Sequence, residues 1–467
     1  MRTLSPCLFL LILACDKTDD ASSDTSTSTL EDTGAGTDTE VDTVTDTDSP
    51  TDTGSSTDTG SPTDTDTETS IEIETDYSYA IVETNQTECY DESGNTGCPG
   101  DGETFYGQDA QYSGLASDYT DNSDGTITDW NTGLVWQKEQ LNGYQWGEAE
   151  DYCTDLTLGG ITSWRVPSTK ELYSLIDYSG TTGSSSGDFT EIPDDAEPFI
   201  NDTFDFSYGD TSAGERYIDT QFISATVYVS NIWADNNGQE AGAEGFFGVN
   251  YADGRIKGYE TANGAGWQLR CVSGNTDYGT NDFEDQGDGT VADYATGLMW
   301  TQDDSMGLDA GPTGDGELDW ALALDFCEEL SLGGHDDWRL PDAKALHSIV
   351  DYTRSPDTTG SAAIDPVFEA SSFIDEAGDT NYGFYWTSTT LLDGPGDAIY
   401  IAFGEGLGYT VGPDTGAEMF MDVHGAGSQR SDPKVGDPAD YPTWGNGPQG
   451  DVERVHNLAR CVRDAAE

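Results

Sequence analysis

Positive charge is the scarcest property of this chain. Only 17 of its 467 residues are Lys or Arg, against 90 Asp and Glu, for a formal net charge of −73 at pH 7. A surface of that sign repels DNA, RNA and sulfated polysaccharides, and it suits a saline habitat or divalent cations. Histidine is nearly as rare. The four, His335, His347, His424 and His456, all lie in the last third of the chain. No Cys-x-x-Cys pair and no His-Glu-x-x-His segment occurs, so the common zinc signatures are missing. Beyond residue 14 no apolar run is long enough to span a membrane.

What the chain does have is a duplication. Asp124-Gly-Thr-Ile-Thr-Asp129 and Thr132-Gly-Leu-Val-Trp136 return as Asp288-Gly-Thr-Val-Ala-Asp293 and Thr296-Gly-Leu-Met-Trp300, an offset of 164. Trp146, Cys153, Leu158-Gly-Gly160, Trp164-Arg-Val-Pro167 and Asp177-Tyr178 return 174 residues later as Trp320, Cys327, Leu332-Gly-Gly334, Trp338-Arg-Leu-Pro341 and Asp351-Tyr352. Each copy closes on Arg-Cys-Val, at Arg270–Val272 and Arg460–Val462. A period this long marks a duplicated domain rather than a solenoid, whose units run roughly 20–50 residues. What both copies keep is read as scaffold, and what differs as specificity.

The first 14 residues read as an export signal, with Arg2 ahead of Leu8-Phe-Leu-Leu-Ile-Leu-Ala14. The run ends Ile12-Leu-Ala-Cys15, which resembles a lipobox, so Cys15 is the expected lipidation site. Residues 15–77 follow as a stalk of Asp, Glu, Thr, Ser and Gly. With one sign of charge and little to bury, it is expected to stay disordered. The stalk explains only part of the charge, since residues 77–467 keep 71 acids against 15 Lys and Arg.

Eight cysteines fit this layout. Cys7 lies in the signal and Cys15 at the lipobox. Cys89 and Cys98 are neighbours in a leader segment, 78–118. Cys153 and Cys271 bracket the first repeat, and Cys327 and Cys461 the second. Three disulfides, Cys89–Cys98, Cys153–Cys271 and Cys327–Cys461, account for the six in an oxidising compartment. A metal site is the alternative, weakened by the lack of histidine near most of these cysteines.

Within one repeat, Thr126–Asp129 and Leu134–Trp136 flank a turn composition and predict a β-hairpin. Trp146, Ala149, Cys153 and Leu156 share one helical face, matched by Trp320, Ala323, Cys327 and Leu330. Ser168 and Glu171 form a capping box for a second helix; Asp342 caps its counterpart, but Ala345 leaves that box incomplete. Ile232-Trp233 and Tyr385-Trp386 are expected to begin strands. Phe246–Tyr251 before Asp253-Gly254, and Ile399–Phe403 before Glu405-Gly406, are expected to form hairpins. The fold class is α+β: two helices near the start of each copy, then a curled antiparallel sheet.

The order Asp-Gly-Thr-x-x-Asp, Thr-Gly-Leu-x-Trp, Trp-x6-Cys, Leu-Gly-Gly, Trp-Arg-x-Pro, Asp-Tyr, Arg-Cys-Val resembles the C-terminal domain of the Legionella collagen-like adhesin family, over residues 119–273 and 283–464. Cys89-Tyr-Asp91, Cys98-Pro99 and Phe105–Tyr112 are similar to a leader that precedes such domains. The resemblance implies two tandem C-type-lectin-like domains, here 119–275 and 280–467, each with a first-helix cysteine paired to one on the last strand. It also implies an extracellular, non-enzymatic adhesion role with sulfated glycans as ligands. The acidity of this chain departs from that last property.

Asp121, Asp124 and Asp129, echoed by Asp285, Asp288 and Asp293, are the candidate calcium ligands. With Gly125 at position six of an EF-hand loop, position one is Thr120, so that register fails and a turn before a hairpin is the plainer reading. Asp235, Glu240 and Glu244 add acids around a variable-looking loop. Trp164-Arg165 and Trp338-Arg339 suit a sugar platform, but a packed Trp beside a bridging Arg explains their repetition better. The His424-Gly-Ala-Gly-Ser-Gln-Arg430 loop has the composition to hold an anion or a substrate. No catalytic residue or cofactor is assigned, and calcium is left open. The expectation is a lipoprotein of the bacterial outer membrane or cell surface. It touches the membrane through its lipid alone, binds a glycan or extracellular protein, and binds no nucleic acid. A polysaccharide hydrolase and a purely structural envelope protein are the alternatives.

Overall fold

The structure, a computed structural model, describes residues 77–184, 187–264 and 266–465. The signal segment, Cys15 and the stalk up to residue 76 lie outside the described residues. No described helix is long and apolar enough to cross a membrane.

Each copy opens with an antiparallel meander. In the first it is Tyr119–Asp121, Thr126–Asp129 and Leu134–Gln137; in the second, Phe283–Asp285, Thr290–Asp293 and Leu298–Thr301. Alternation turns Leu134 and Trp136, and likewise Leu298 and Trp300, into the core. Gly133 (φ 72°) and Gly297 (φ 77°) take the left-handed turn conformation that a side chain would strain. The strand after the final cysteine, Val272–Gly274 or Val462–Asp464, returns to pair with the third meander strand and completes a four-stranded sheet.

The helices pack on the long strands that follow them, Ala241–Asn250 in the first copy and Phe384–Thr390 in the second. Helix α1 (Trp146–Asp155) carries Cys153, and α3 (Trp320–Glu328) carries Cys327, both buried. Cys153 is bonded to Cys271, 118 residues away, and Cys327 to Cys461, 134 away; Cys89 is bonded to Cys98. Loops of that length make each bond worth about 4–5 kcal/mol in the chain-entropy account. Short helices α2 (Thr169–Ser174) and α4 (Ala343–Ser348) begin on their caps, Ser168 with Glu171 in a full box and Asp342 accepting from Lys344 N and Ala345 N. Beside the cysteines, Arg270 and Arg460 are buried, and each donates to three backbone carbonyls: Gln137, Lys138 and Asp205 for one, Thr301, Gln302 and Glu369 for the other.

Two local expectations need correction. Ile232-Trp233 does not begin a strand; it lies late in Val227–Ala234, which pairs with Ala241–Asn250. The glycine-poor run from Val227 lets pairing start earlier than the aromatic pair suggests. In the second copy the strand after Glu405-Gly406 is not the partner of Asp397–Ala402. Leu407–Val411 pairs instead with Glu418–Asp422 as an inserted hairpin, and Asp397–Ala402 pairs with Gln429–Pro433 beyond it. Neighbouring strands with a short turn pair most easily with each other, which frees the earlier strand for a later partner.

The two copies share one sheet. In the first, Arg255–Glu260 pairs with Ala241–Asn250, placing Ile256 opposite Val249; in the second, Gln429 stands opposite Ile401. Ile256 and Gln429 therefore hold equivalent positions, and they pair with each other. This single bridge joins Phe384–Thr390, Asp397–Ala402 and Gln429–Pro433 to the sheet of the first copy. Ala234 paired with Asp422 makes a second junction.

A reciprocal contact sits on the same local symmetry. Lys170 on α2 donates to Ser348 O at the end of α4 (2.7 Å), and Lys344 on α4 donates to Ser174 O at the end of α2 (3.0 Å). Each ammonium thus meets the carbonyl end of the other copy's helix, where positive charge is favoured. Burial pushes both lysines down to about 8. Tyr173 packs on His347 with ring centroids 4.2 Å apart, and each bonds its own copy's tyrosine, Tyr178 or Tyr352. The leader is drawn in as well: Lys344 donates to Glu83 O, Gln86 pairs both ways with the Thr390 backbone, and Tyr178 N donates to Thr84 O.

Replacing Lys344 strands buried carbonyls on both the leader and α2. Lys344→Ala is expected to cost about 2–4 kcal/mol by urea denaturation, and Lys170→Ala a similar amount. Lys138→Ala, which breaks only the half-exposed pair with Asp121, should change stability by less than about 0.5 kcal/mol.

Candidate functional site

The six repeated aspartates do not converge. Asp124 accepts from Thr126 N and Oγ1, as Asp288 does from Thr290. Asp129 accepts from Asn131 N and Thr132 N, and Asp293 from Asp282 N, Ala295 N, Asn281 and Thr296. Asp121 pairs with Lys138 and Ser123 N, and Asp285 holds Gly287 N. Their carboxylates tie turns together. Among the described residues no group of three or more His, Cys, Asp or Glu is arranged to hold a metal ion.

The Trp-Arg motifs are also internal. Trp164 and Trp338 are buried and donate to Ile161 O and Leu332 O. Arg165 forks onto Glu171, the capping residue of α2, and reaches Asn275 O; Arg339 pairs with Asp464. In the His424–Arg430 loop, the charges that suggested an anion site are answered from within. His424 Nε2 meets Asp451 Oδ1 at 3.0 Å, and Arg430 meets the other oxygen of the same carboxylate. Asp451 is held well below the usual carboxylate range by Arg430 and His424 despite its burial. This pair borders an inter-repeat cleft of about 290 Å³, where Arg255 and Lys257 face Asp253.

Clustering does occur where the inserted hairpin meets the first copy. The turn of that hairpin is pinned by Glu240, whose buried carboxylate accepts from Asp414 N (2.8 Å), Thr415 N (2.7 Å) and Thr415 Oγ1 (2.5 Å). Asp235 in turn caps the loop by accepting from Asn237 N and Glu240 N. The clasp leaves a cavity of about 190 Å³ between the loop Asp235–Asn237 and the hairpin. Tyr409 and Phe420 form one wall, with ring centroids 4.9 Å apart, and Trp444 packs against both. Asp379, Glu405 and Asp422 contribute carboxylates, and no Lys, Arg or His lines the space.

That lack of cations has an electrostatic result. Burial, then the nearby carboxylates of Asp422 and Asp357, push Glu405 up to about 10. Burial raises Asp422 to about 7, although Tyr228 Oη, Gly406 N and Gly425 N all donate to it. Sequence reasoning marked Asp235 and Glu240 but missed Tyr409, Phe420, Glu405 and Asp422. The one available signal was that residues 407–422 have no counterpart in the first copy.

The duplicated meanders, disulfides and Trp-Arg motifs are one scaffold used twice, and residues 125–273 and 289–421 each match the Lcl C-terminal domain. The chain belongs to the Lcl C-terminal domain family. The second Lcl match stops within the inserted hairpin, although the copy itself runs on to the strand Val462–Asp464. No curated protein and no solved structure matches the chain.

In the fold Glu405 holds its proton up to about 10, whereas an unfolded Glu ionises near 4.5. Between those values the folded state binds more protons, so this residue's contribution to stability falls as pH rises. Glu405→Gln is expected to stabilise the protein by on the order of 2 kcal/mol at pH 8 and by almost nothing at pH 4, read from urea midpoints at the two pH values.

Proposed function

We propose that this protein is a surface-anchored lipoprotein of the bacterial envelope. In this reading a lipid on Cys15 and the acidic stalk display a paired Lcl unit that binds a glycan or an extracellular protein. Each repeat is read as a variant of the C-type-lectin-like fold. The helix-borne cysteine bonded beside the last strand supports that reading in both copies. The protein is read as a binder rather than an enzyme, with no cofactor assigned and calcium open to test.

The observation that carries this proposal is the junction cleft. The scaffold is common to both copies, but the loop at Asp235 and the hairpin Leu407–Asp422 differ between them and meet around a recess. Binding residues are carried disproportionately on loops set on a shared scaffold, and a recess with a few convergent polar groups is the default ligand site. Two copies held rigidly can also present several contacts to one ligand.

Two measurements test this. Cys15→Ser should move the protein from the membrane to the soluble fraction and abolish palmitate labelling; an unchanged distribution would remove the lipid anchor. Labelled full chain applied to a glycan array and to a panel of matrix proteins, with calcium and with chelator, should show saturable binding to at least one member. Binding to none would contradict the adhesion role. Release of sugar from a polysaccharide would favour the hydrolase alternative.

A further inference from the structure

We propose that the cleft between Asp235–Asn237 and the inserted hairpin is a saccharide site that takes one uncharged sugar ring, without calcium, and rejects sulfated and carboxylated sugars. The inference rests on the binding role above and gives it a ligand class.

Three observations support it. First, the wall is aromatic. Tyr409 and Phe420 stand opposite each other in the hairpin and line the recess, their rings packed edge to face, and Trp444, 44% exposed, packs against both beside the recess. The face of a single aromatic ring matches the C–H face of a pyranose, and Tyr409 combines such a face with a polar tip. Second, the opposite side is polar in the way hydroxyls require. Asn236 and Asn237 are exposed amides that both donate and accept, and the half-buried Asp379 carboxylate accepts. An apolar platform with a few convergent polar groups is the usual make-up of a small-ligand pocket. Third, Asp235, Asp379, Glu405 and Asp422 line the recess with no cation among them. A sulfate or carboxylate entering there finds no cation to answer its charge, which selects against anionic sugars.

The recess is small. At about 190 Å³ it holds the volume of roughly six waters, enough for one ring of a chain and too little to engulf an oligomer. The carboxylates are not grouped as a cation site among the described residues, so the sugar is held by stacking and hydrogen bonds rather than through calcium.

The test is titration of the full chain with neutral hexasaccharides of glucose, mannose, galactose and N-acetylglucosamine, and with a heparin-derived hexasaccharide, each with calcium and with EDTA. The expected result is saturable binding to at least one neutral sugar, unchanged by EDTA, and none to the sulfated one. Tyr409→Ala and Asn237→Ala should each weaken binding by about tenfold. Asn237 is exposed, so its loss should leave the thermal melt unchanged and separate a site effect from unfolding. Trp130→Ala, on the exposed hairpin tip of the first copy, should bind as the parent does. Loss of binding in EDTA, preference for the sulfated sugar, no neutral binding at all, or full binding by both cleft variants would each overturn the proposal. Saturable binding to a matrix protein with no neutral sugar bound would overturn it while leaving the adhesion role standing.

Discussion

The structure turns on two lysines that each serve the other copy. In a protein with few cations to spare, the half-buried Lys170 and the buried Lys344 each donate to the carbonyl end of a helix they do not belong to, Lys170 also to Gly279 O and Asn281 and Lys344 also to Glu83 O. A buried ammonium without acceptors is costly, so neither copy can close its own core around this lysine alone. The Ile256–Gln429 bridge and the Tyr173–His347 contact likewise bring equivalent positions of the two copies together. The leader then fills the seam, with Asp109 accepting from Thr84 in the leader and Thr389 in the second copy.

Duplication has separated the scaffold from what has been free to change. The disulfides, the buried arginines that gather backbone carbonyls, and the buried tryptophans of the Trp-Arg motifs recur, because each fills or satisfies what any copy of the fold buries. Where equivalent positions of the two copies meet, the residues differ: Tyr173 faces His347 and Ile256 pairs with Gln429. Burial and the neighbouring Lys170 hold His347 well below its ordinary pKa, so it stays neutral and keeps its bond to Tyr352. The larger differences are pushed outward, to the loop held by Glu240 and the hairpin it pins. A rigid junction allows those two surface elements to build one recess.

Much of this was legible from residue order. The repeated Asp-Gly-Thr and Thr-Gly-Leu-x-Trp segments mark the meanders because period-two alternation and a turn glycine leave few other solutions. The even set of six cysteines, bracketing each copy, pointed to the bonds between α1 or α3 and the strand end. The strand partners of the second copy were not legible. Nothing in Ile399–Phe403 shows that its partner lies past an inserted hairpin, since local pattern carries no long-range register. The repeated aspartates cap turns, the plainer of the two readings their sequence offered, since Asp next to Gly, Ser and Thr suits that role. The cleft was the hardest part to foresee, because it is made of residues from both copies that no spacing rule connects.

The shared sheet and the crossed lysines make the two Lcl repeats one cooperative structure rather than two beads on a string. Urea unfolding of the full chain, followed at once by far-ultraviolet circular dichroism and by tryptophan fluorescence, tests it most directly. The account predicts a single transition with coincident midpoints by both probes. Two resolved transitions, or one repeat melting while the other keeps its signal, would contradict it.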